Sequence, residues 1–409
     1  MNLLILDDLT TFPGEEFGAP AAEIADLPQE PAGAAELSGS GEAVFNTAMS
    51  GYHEVLTDPS YTGQIVIMTT AHVGNYGTDS SWSESEARGS RVEVKASGLV
   101  VRSLYGGAVR SGRSSLDQFM QDNGVPGIAG VDTRRLTLKL RREGSRNGVV
   151  VRAPGRLQGE DPVYLGAIGS RAELLNDSER EALSRFFRAL PSMEGLNLVE
   201  RVTEGEAVSF NSGGSPRLLL LDWGAKLNIA RELAALGSEV TVLPGARGLE
   251  ERLAEGTVDG IVLSNGPGDP AVLQEEVTLV SRLVGSVPML GVCLGHQLIS
   301  EAIGAKTHKM KFGHHGANHP VRDERSRGVF VTSQNHGFAV TEESLPGGTD
   351  IRFRNANDST IEGIQNEQLK LLTAQFHPEA APGPHDCRFV FREFLESINA
   401  VTGAQAKPE

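Results

Sequence analysis

After residue 216 the chain repeats one pattern, a short apolar run followed by a helical stretch: RLLLLD, KLNIARELAALG, EVTVLPG, GIVLSNGPGDP, AVLQEEVTLVSRLVG, PMLGVC, LGHQLISEAIG. Apolar strands alternating with helices of roughly 10 to 15 residues specify a mostly parallel sheet covered on both faces, because each crossover carries the chain back over the sheet. In such an α/β sheet ligands bind beyond the carboxyl ends of the strands. Chemistry is therefore expected in the residues that directly follow a strand.

The first part of the chain reads differently. Between Leu3 and Arg152 there are short β-rich runs (QIVIMTT, SGLVVRSL, GVVVRA) among glycine-rich turns, with helical patterns at SSLDQFMQDN and TRRLTLKLRRE. This is an N-terminal mixed α/β domain, expected over residues 1–152. Residues 153–216 turn polar and helical (SEREALSRFFRAL) and loosen into EGEAVSFNSGGSPR, whose Gly, Ser and Pro mark a linker. The repeating strand and helix domain then occupies residues 217–402. A length of 409 residues agrees with two or three domains at about 150 residues each. The segment AAEIADLPQEPAGAAELSGSG lacks periodicity and is expected to be an exposed loop.

Bulk properties narrow the function. A net charge of −16 repels phosphate backbones, so nucleic acid is not an expected partner. One basic stretch (Arg134, Arg135, Lys139, Arg141, Arg142, Arg146) is expected on a single helix, as a solvated face first and a docking face for an acidic partner second. No apolar run approaches the roughly 18 residues of a membrane span. The N-terminus lacks the basic flank of a secretory signal, and two cysteines are too few for a disulfide scaffold. A cytoplasmic location is expected.

In PMLGVCLGHQ an apolar strand runs directly into Cys293, with a glycine two residues on and a helix after it. Such a turn exposes a nucleophile at a tight bend, where helix N-terminal amides favour negative charge. A buried structural cysteine is the competing reading. A cysteine nucleophile also needs a base, since an unperturbed pKa of about 8.5 leaves little thiolate at neutral pH. LKLLTAQFHPE supplies one, a strand-like run ending at His377 with Glu379 two residues on. A carboxylate beside an imidazole holds its tautomer and stabilises the imidazolium.

SNGPGDP, GVCLGHQ and HPE, in that order, resemble the class I glutamine amidotransferase domain. QNHGFAV at 334–340, KMKFGHHGANHPV at 309–321 and HPEAAPGPHD at 377–386 narrow the likeness to the small subunit of carbamoyl phosphate synthetase. FNTAMSGYHEVLTDPSYTGQIV, HVGNYG, GIAGVDTRRLT and NGVV resemble that subunit's N-terminal domain, so the likeness covers nearly the whole chain. The resemblance implies Cys293 as nucleophile, His377 as base and Glu379 as orienting acid. It implies a glutamine pocket of Ser60, Gly266, Gly268, Leu294, Gln297, Asn335, Gly337 and Phe338. The amides of Gly268 and Leu294 are candidates for an oxyanion hole, and Ser60, Gln297 and Asn335 for contacts to the amino acid end of the substrate. Ammonia would pass to a large subunit in a heterodimer. That subunit would bind ATP and magnesium and make carbamoyl phosphate from bicarbonate for arginine and pyrimidine synthesis.

Departures from the family pattern are modest, and none touches Cys293, His377 or Glu379. Ala48 and Ala381 stand where many relatives have serine, AELSGSG with its upstream acidic loop looks inserted, and VRSLYGGAVRSGRSS lacks the expected aromatic and asparagine pattern. His314, His315 and His319 crowd one stretch without a ligand cluster, and no metal or cofactor is expected on this chain. GPGDP lacks the GK[ST] of a phosphate loop. The alternatives are another thiol hydrolase on the same fold, or a scaffold retained without activity.

Overall fold

The computed structural model describes residues 1–85, 93–153, 175–203 and 205–402. It divides into two compact units: Met1–Ser83 with Val92–Leu196 and Lys311–His315, and Glu84–Arg91 with Asn197–Met310 and Gly316–Glu409. No helix among the described residues is long and apolar enough to cross a membrane.

The first unit is built on β1 (Asn2–Leu6), β2 (Thr11–Gly18), β3 (Ser40–Asn46), β4 (Gln64–Met68), β5 (Gly98–Val100), β6 (Pro126–Ala129) and β7 (Arg146–Arg152). They close into a barrel in the order β1-β2-β6-β5-β4-β3-β7. Alternation along each strand explains the closure. Leu4, Leu6, Phe12, Ala43, Ile65, Ile67, Val100, Ile128 and Val150 form one buried cluster drawn from all seven strands, joined by Leu136 and Leu140 of the helix Thr133–Glu143. The intervening Leu3, Ile5, Val149 and Val151 point the other way and pack against Leu183 and Phe186 of the helix Asp177–Ala189. That helix falls in the stretch expected as a connector and belongs to the first unit. Its start is fixed by a capping box between Asn176 and Glu179.

Two expectations need correcting here. The segment read as an exposed loop folds as a 3-10 turn, Ile24–Asp26, and a short helix, Pro31–Glu36, and it buries Ile24, Leu27 and Ala34 against the same β1/β7 surface. Its few apolar residues are too widely spaced to register as a period. Of the basic stretch, Arg134, Arg135, Lys139, Arg141 and Arg142 lie on the helix Thr133–Glu143, but Arg146 opens β7.

The second unit holds a ten-stranded sheet: β8 (Val208–Phe210), β9 (Arg217–Asp222), β10 (Glu239–Pro244), β11 (Gly260–Leu263), β12 (Met289–Val292), β13 (Thr307–Asp323), β14 (Val329–Val340), β15 (Asp350–Asn355), β16 (Ile361–Asn366) and β17 (Leu371–Ala374). The order is β14-β13-β15-β16-β17-β12-β11-β9-β10-β8. From β17 to β10 the pairings are parallel, and β8, from the expected linker, adds an antiparallel edge. Leu218 and Leu220 of β9 pack with the helices Leu227–Ala235 and Phe389–Thr402, whereas Leu219 and Leu221 pack with Gln274–Leu283 and Leu294–Ala302. A strand covered on both faces needs apolar residues at every position, which is why RLLLLD is continuous.

Candidate active site

Cys293 sits at the turn between β12 and the helix Leu294–Ala302, with φ 51° and ψ −102°. A non-glycine residue with this backbone is strained, and the neighbourhood over-determines it. A Cβ on Gly291 would stand 2.6 Å from the carbonyl oxygen of Gly295, and one on Gly295 would stand 2.3 Å from that of Leu263. Both positions therefore exclude any side chain, and the bend follows from them. Cys293 N donates to the Ala374 carbonyl at 2.8 Å, tying the turn to the end of β17. Its thiol is buried, 3.5 Å from the carbonyl oxygen of Asn335 as donor and 3.6 Å from Gln375 Nε2 as acceptor.

The candidate base arrives from β17. Three residues beyond that strand, His377 is held by its backbone, its N–H donating to the Ser333 carbonyl of β14 at 2.9 Å. Its Nδ1 lies 2.7 Å from Glu379 Oε1, and Lys226 Nζ lies 2.9 Å from the same oxygen. All three side chains are buried. Burial opposes charge on the imidazole and Lys226 opposes it too, but the Glu379 charge, with the Cys293 and Glu379 hydrogen bonds, raises the His377 pKa above its ordinary value. Burial likewise raises Glu379, yet Lys226 and His377 outweigh it and hold the carboxyl well below the usual range. The result is an ionised carboxylate and a proton-bearing imidazole. The other ring nitrogen, Nε2, is buried and is the one left to face the Cys293 thiol.

Gly266 and Gly268 lie in the loop after β11, where a Cβ on Gly266 would meet the Trp223 carbonyl oxygen at 2.2 Å and Gly268 has φ 93°. The loop is pinned by Ser264 and Asn265: Ser264 O accepts from Gly295 N at 2.9 Å, and Asn265 Oδ1 accepts from Lys226 N at 2.8 Å. Leu294 opens the helix after Cys293, so its amide lies in the turn where the helix offers no intrahelical acceptor. Gln297 Nε2 donates to the Phe338 carbonyl and to Gln375 Oε1, each at 3.0 Å. Asn335, Gly337 and Phe338 are on β14, and the Lys309 ammonium stands 4.9 Å from the Phe338 ring centre. Thus Cys293, His377, Glu379 and every pocket candidate but one belong to the second unit. Ser60 belongs to the first, buried in the 3-10 turn Pro59–Tyr61, its amide donating to Asp58 Oδ1 at 2.9 Å.

Residues 219–397 match the family described as Glutamine amidotransferase class-I, and residues 4–150 match Carbamoyl-phosphate synthase small chain, CPSase domain. The carbamoyl phosphate synthase small chain of Chlorobaculum tepidum is 43% identical over 364 residues, covering 87% of this chain and 91% of that protein. That of Methanopyrus kandleri is 43% identical over 395 residues, 96% of this chain and 97% of its own. That of Akkermansia muciniphila is 41% identical over 411 residues, 97% of each. The chain belongs to the carbamoyl phosphate synthase small chain family.

Three residues of this small chain escaped the sequence reading. Lys226 follows the end of β9, a place the strand-end rule does single out, but a lone lysine after an apolar run carries no further signal. Gln375 bridges Gln297 and Cys293 from a position next to β17 that reads as strand interior. Glu84 lies buried against the start of the helix Leu227–Ala235, and nothing in the spacing indicates a partner so distant in sequence.

Proposed function

We propose that this small chain hydrolyses glutamine to glutamate and ammonia with Cys293, His377 and Glu379. The reading rests on one observation above the others, a cysteine in a strained strand-to-helix turn that faces a buried imidazole hydrogen-bonded to its own carboxylate. The proton that Cys293 gives up resides on His377 as the imidazolium, and Sγ attacks the carboxamide carbon as the thiolate. The imidazolium then protonates the departing nitrogen, and the C–N bond breaks to give ammonia and a glutamyl thioester. Water attacks the thioester carbon while the neutral His377 ring takes its proton, and the C–S bond breaks to release glutamate and restore the Cys293–His377 pair. The amides of Gly268 and Leu294 are assigned to the tetrahedral oxyanion, a role worth about 3 kcal/mol per donor in comparable sites. Gln297 and Asn335, with the backbone around Gly266, Gly337 and Phe338, are assigned to the substrate.

Family membership supports the remaining steps. The ammonia is delivered to a carbamoyl phosphate synthase large subunit in a heterodimer, where bicarbonate, ATP and magnesium are used to make carbamoyl phosphate for arginine and pyrimidine synthesis in the cytoplasm. We assign no cofactor or metal to this chain, since thiol, imidazole and carboxylate suffice for the hydrolysis. The deciding experiment measures ammonia released from glutamine by the purified chain and by Cys293→Ala. Release should fall to background in the variant, and undiminished release would refute the proposal.

A further inference from the structure

The helix Leu227–Ala235 begins at Lys226, which provides no side-chain cap. The missing acceptors come from Glu84: its carbonyl oxygen accepts from Leu227 N at 3.2 Å, and its Oε2 accepts from Asn228 N at 3.1 Å. The turn capped in this way grips the acid of the proposed triad twice. Lys226 Nζ meets Glu379 Oε1 at 2.9 Å and also donates to the Ala380 carbonyl, and Asn228 Nδ2 donates to the Glu379 carbonyl at 2.8 Å.

We infer that Glu84 is a positioning residue for the thiol chemistry, holding Lys226 and Asn228 so that they fix Glu379 against His377; this rests on the glutaminase reading above. Capping alone does not call for a buried carboxylate, because a neutral serine or asparagine at the cap would satisfy the same amides without desolvating a charge. What the carboxylate adds is its field. It faces the charges of Lys226 and Arg231 on the helix and of Glu379 opposite. Burial, offset in part by Lys226, pushes its pKa up to about 7, so the charge is present on the alkaline side of neutrality and is withdrawn below it. With Glu84 ionised, Lys226 is shared between two carboxylates, and Glu379 keeps more of its pull on the imidazolium. Neutral Glu84 frees Lys226 to oppose that pull.

The test compares the full chain with Glu84→Gln and Glu84→Ala, reading kcat and KM for glutamine from pH 6 to 10.5 together with thermal midpoints. Glu84→Gln keeps an acceptor for Asn228 and loses the charge. It should hold KM within about twofold and move the alkaline limb of the rate profile down by roughly half a pH unit, since one negative charge near the imidazolium has gone. Glu84→Ala should also lower kcat about tenfold as the cap is lost. If Glu84→Ala does not fold, the Glu84→Gln limb decides. A limb that coincides with wild type overturns the assignment and leaves the glutaminase reading standing. A wild-type chain that releases no ammonia from glutamine takes both down.

Discussion

One carboxylate oxygen, Glu379 Oε1, serves two donors at once: Nδ1 of His377 at 2.7 Å and the ammonium of Lys226 at 2.9 Å. The two interactions pull the imidazole in opposite directions. Glu379 stabilises the imidazolium, whereas Lys226 and burial disfavour it.

Replacing Glu379 by Gln removes the only one of these influences that favours the charged ring through its own charge. The His377 pKa should then drop, and the alkaline limb of kcat/KM for glutamine hydrolysis should move to lower pH by about one unit or more. The loss of rate is accordingly pH-dependent, smallest near neutrality and growing toward alkaline pH. A uniform loss across the pH range, with the limb in place, would show that Glu379 acts only as a structural contact.

The elbow depends on two hydrogens where other residues have a Cβ. Gly295→Ala places a methyl 2.3 Å from the Leu263 carbonyl oxygen, inside a sheet and helix contact with no slack. Overpacking of this kind costs about 1–3 kcal/mol. Because the shift falls on the first turn of the helix that Cys293 leads into, glutaminase activity should fall by more than the stability does. Gly347→Ala is the matched control, since a Cβ there meets nothing within 4 Å. Thermal melts and initial rates of the two variants check the contrast, and equal behaviour would mean that the elbow tolerates a side chain.

Gln375 stands between the assigned substrate contact and the proposed nucleophile, accepting from Gln297 Nε2 at 3.0 Å and approaching Cys293 Sγ at 3.6 Å. Gln375→Leu conserves most of the volume and leaves Gln297 with the Phe338 carbonyl alone. An orienting partner of the substrate contact has then gone. KM for glutamine should rise about fivefold with kcat changed less, on the order expected for one neutral hydrogen bond. Steady-state kinetics would contradict this if kcat carried the whole effect.

How much of this was legible in the sequence follows from distance along the chain. The parallel core was readable because strands buried on both faces leave uninterrupted apolar runs, as RLLLLD does, and the positions of Cys293 and His377 followed from the ends of two such runs. The first unit was legible as separate strands, but its closure was not, since a barrel is made by pairings such as β1 with β7 that no local pattern records. The antiparallel extension from β13 to β16 mixes polar and apolar residues on half-exposed strands, which blurs its period. At the site, the chemistry-bearing residues were visible as motifs, whereas the groups that tune them were not. Lys226 lies 153 positions before Glu379, counted from their numbers, and Glu84 lies 144 before Asn228. Electrostatic partners brought together by folding leave no trace in spacing.

Away from the site, one buried cation organises the antiparallel end of the second sheet. Arg352 on β15 makes a two-pronged contact with Asp323, Nε to Oδ1 at 2.9 Å and Nη2 to Oδ2 at 3.1 Å, and reaches Glu393 of the C-terminal helix at 3.1 Å. Burial raises the Asp323 pKa, but hydrogen bonds from Ser326 and the Arg325 amide, with the Arg352 charge, outweigh it and lower the value overall. A carboxyl with a depressed folded pKa contributes stability that is present above its unfolded pKa and is lost as pH falls through the folded one. The wild-type melting temperature should therefore decline in the acid range below about pH 4. Arg352→Ala leaves Asp323 buried beside fewer donors and should destabilise the chain by about 3 kcal/mol near neutral pH, the scale of breaking one partner of a buried pair. Because neutralising Asp323 then relieves that unpaired charge, the gap between variant and wild type should narrow as the pH falls. Denaturant melts at pH 7 and pH 4 check both points, and a gap that stays constant between them would show that Arg352 contributes through packing rather than charge.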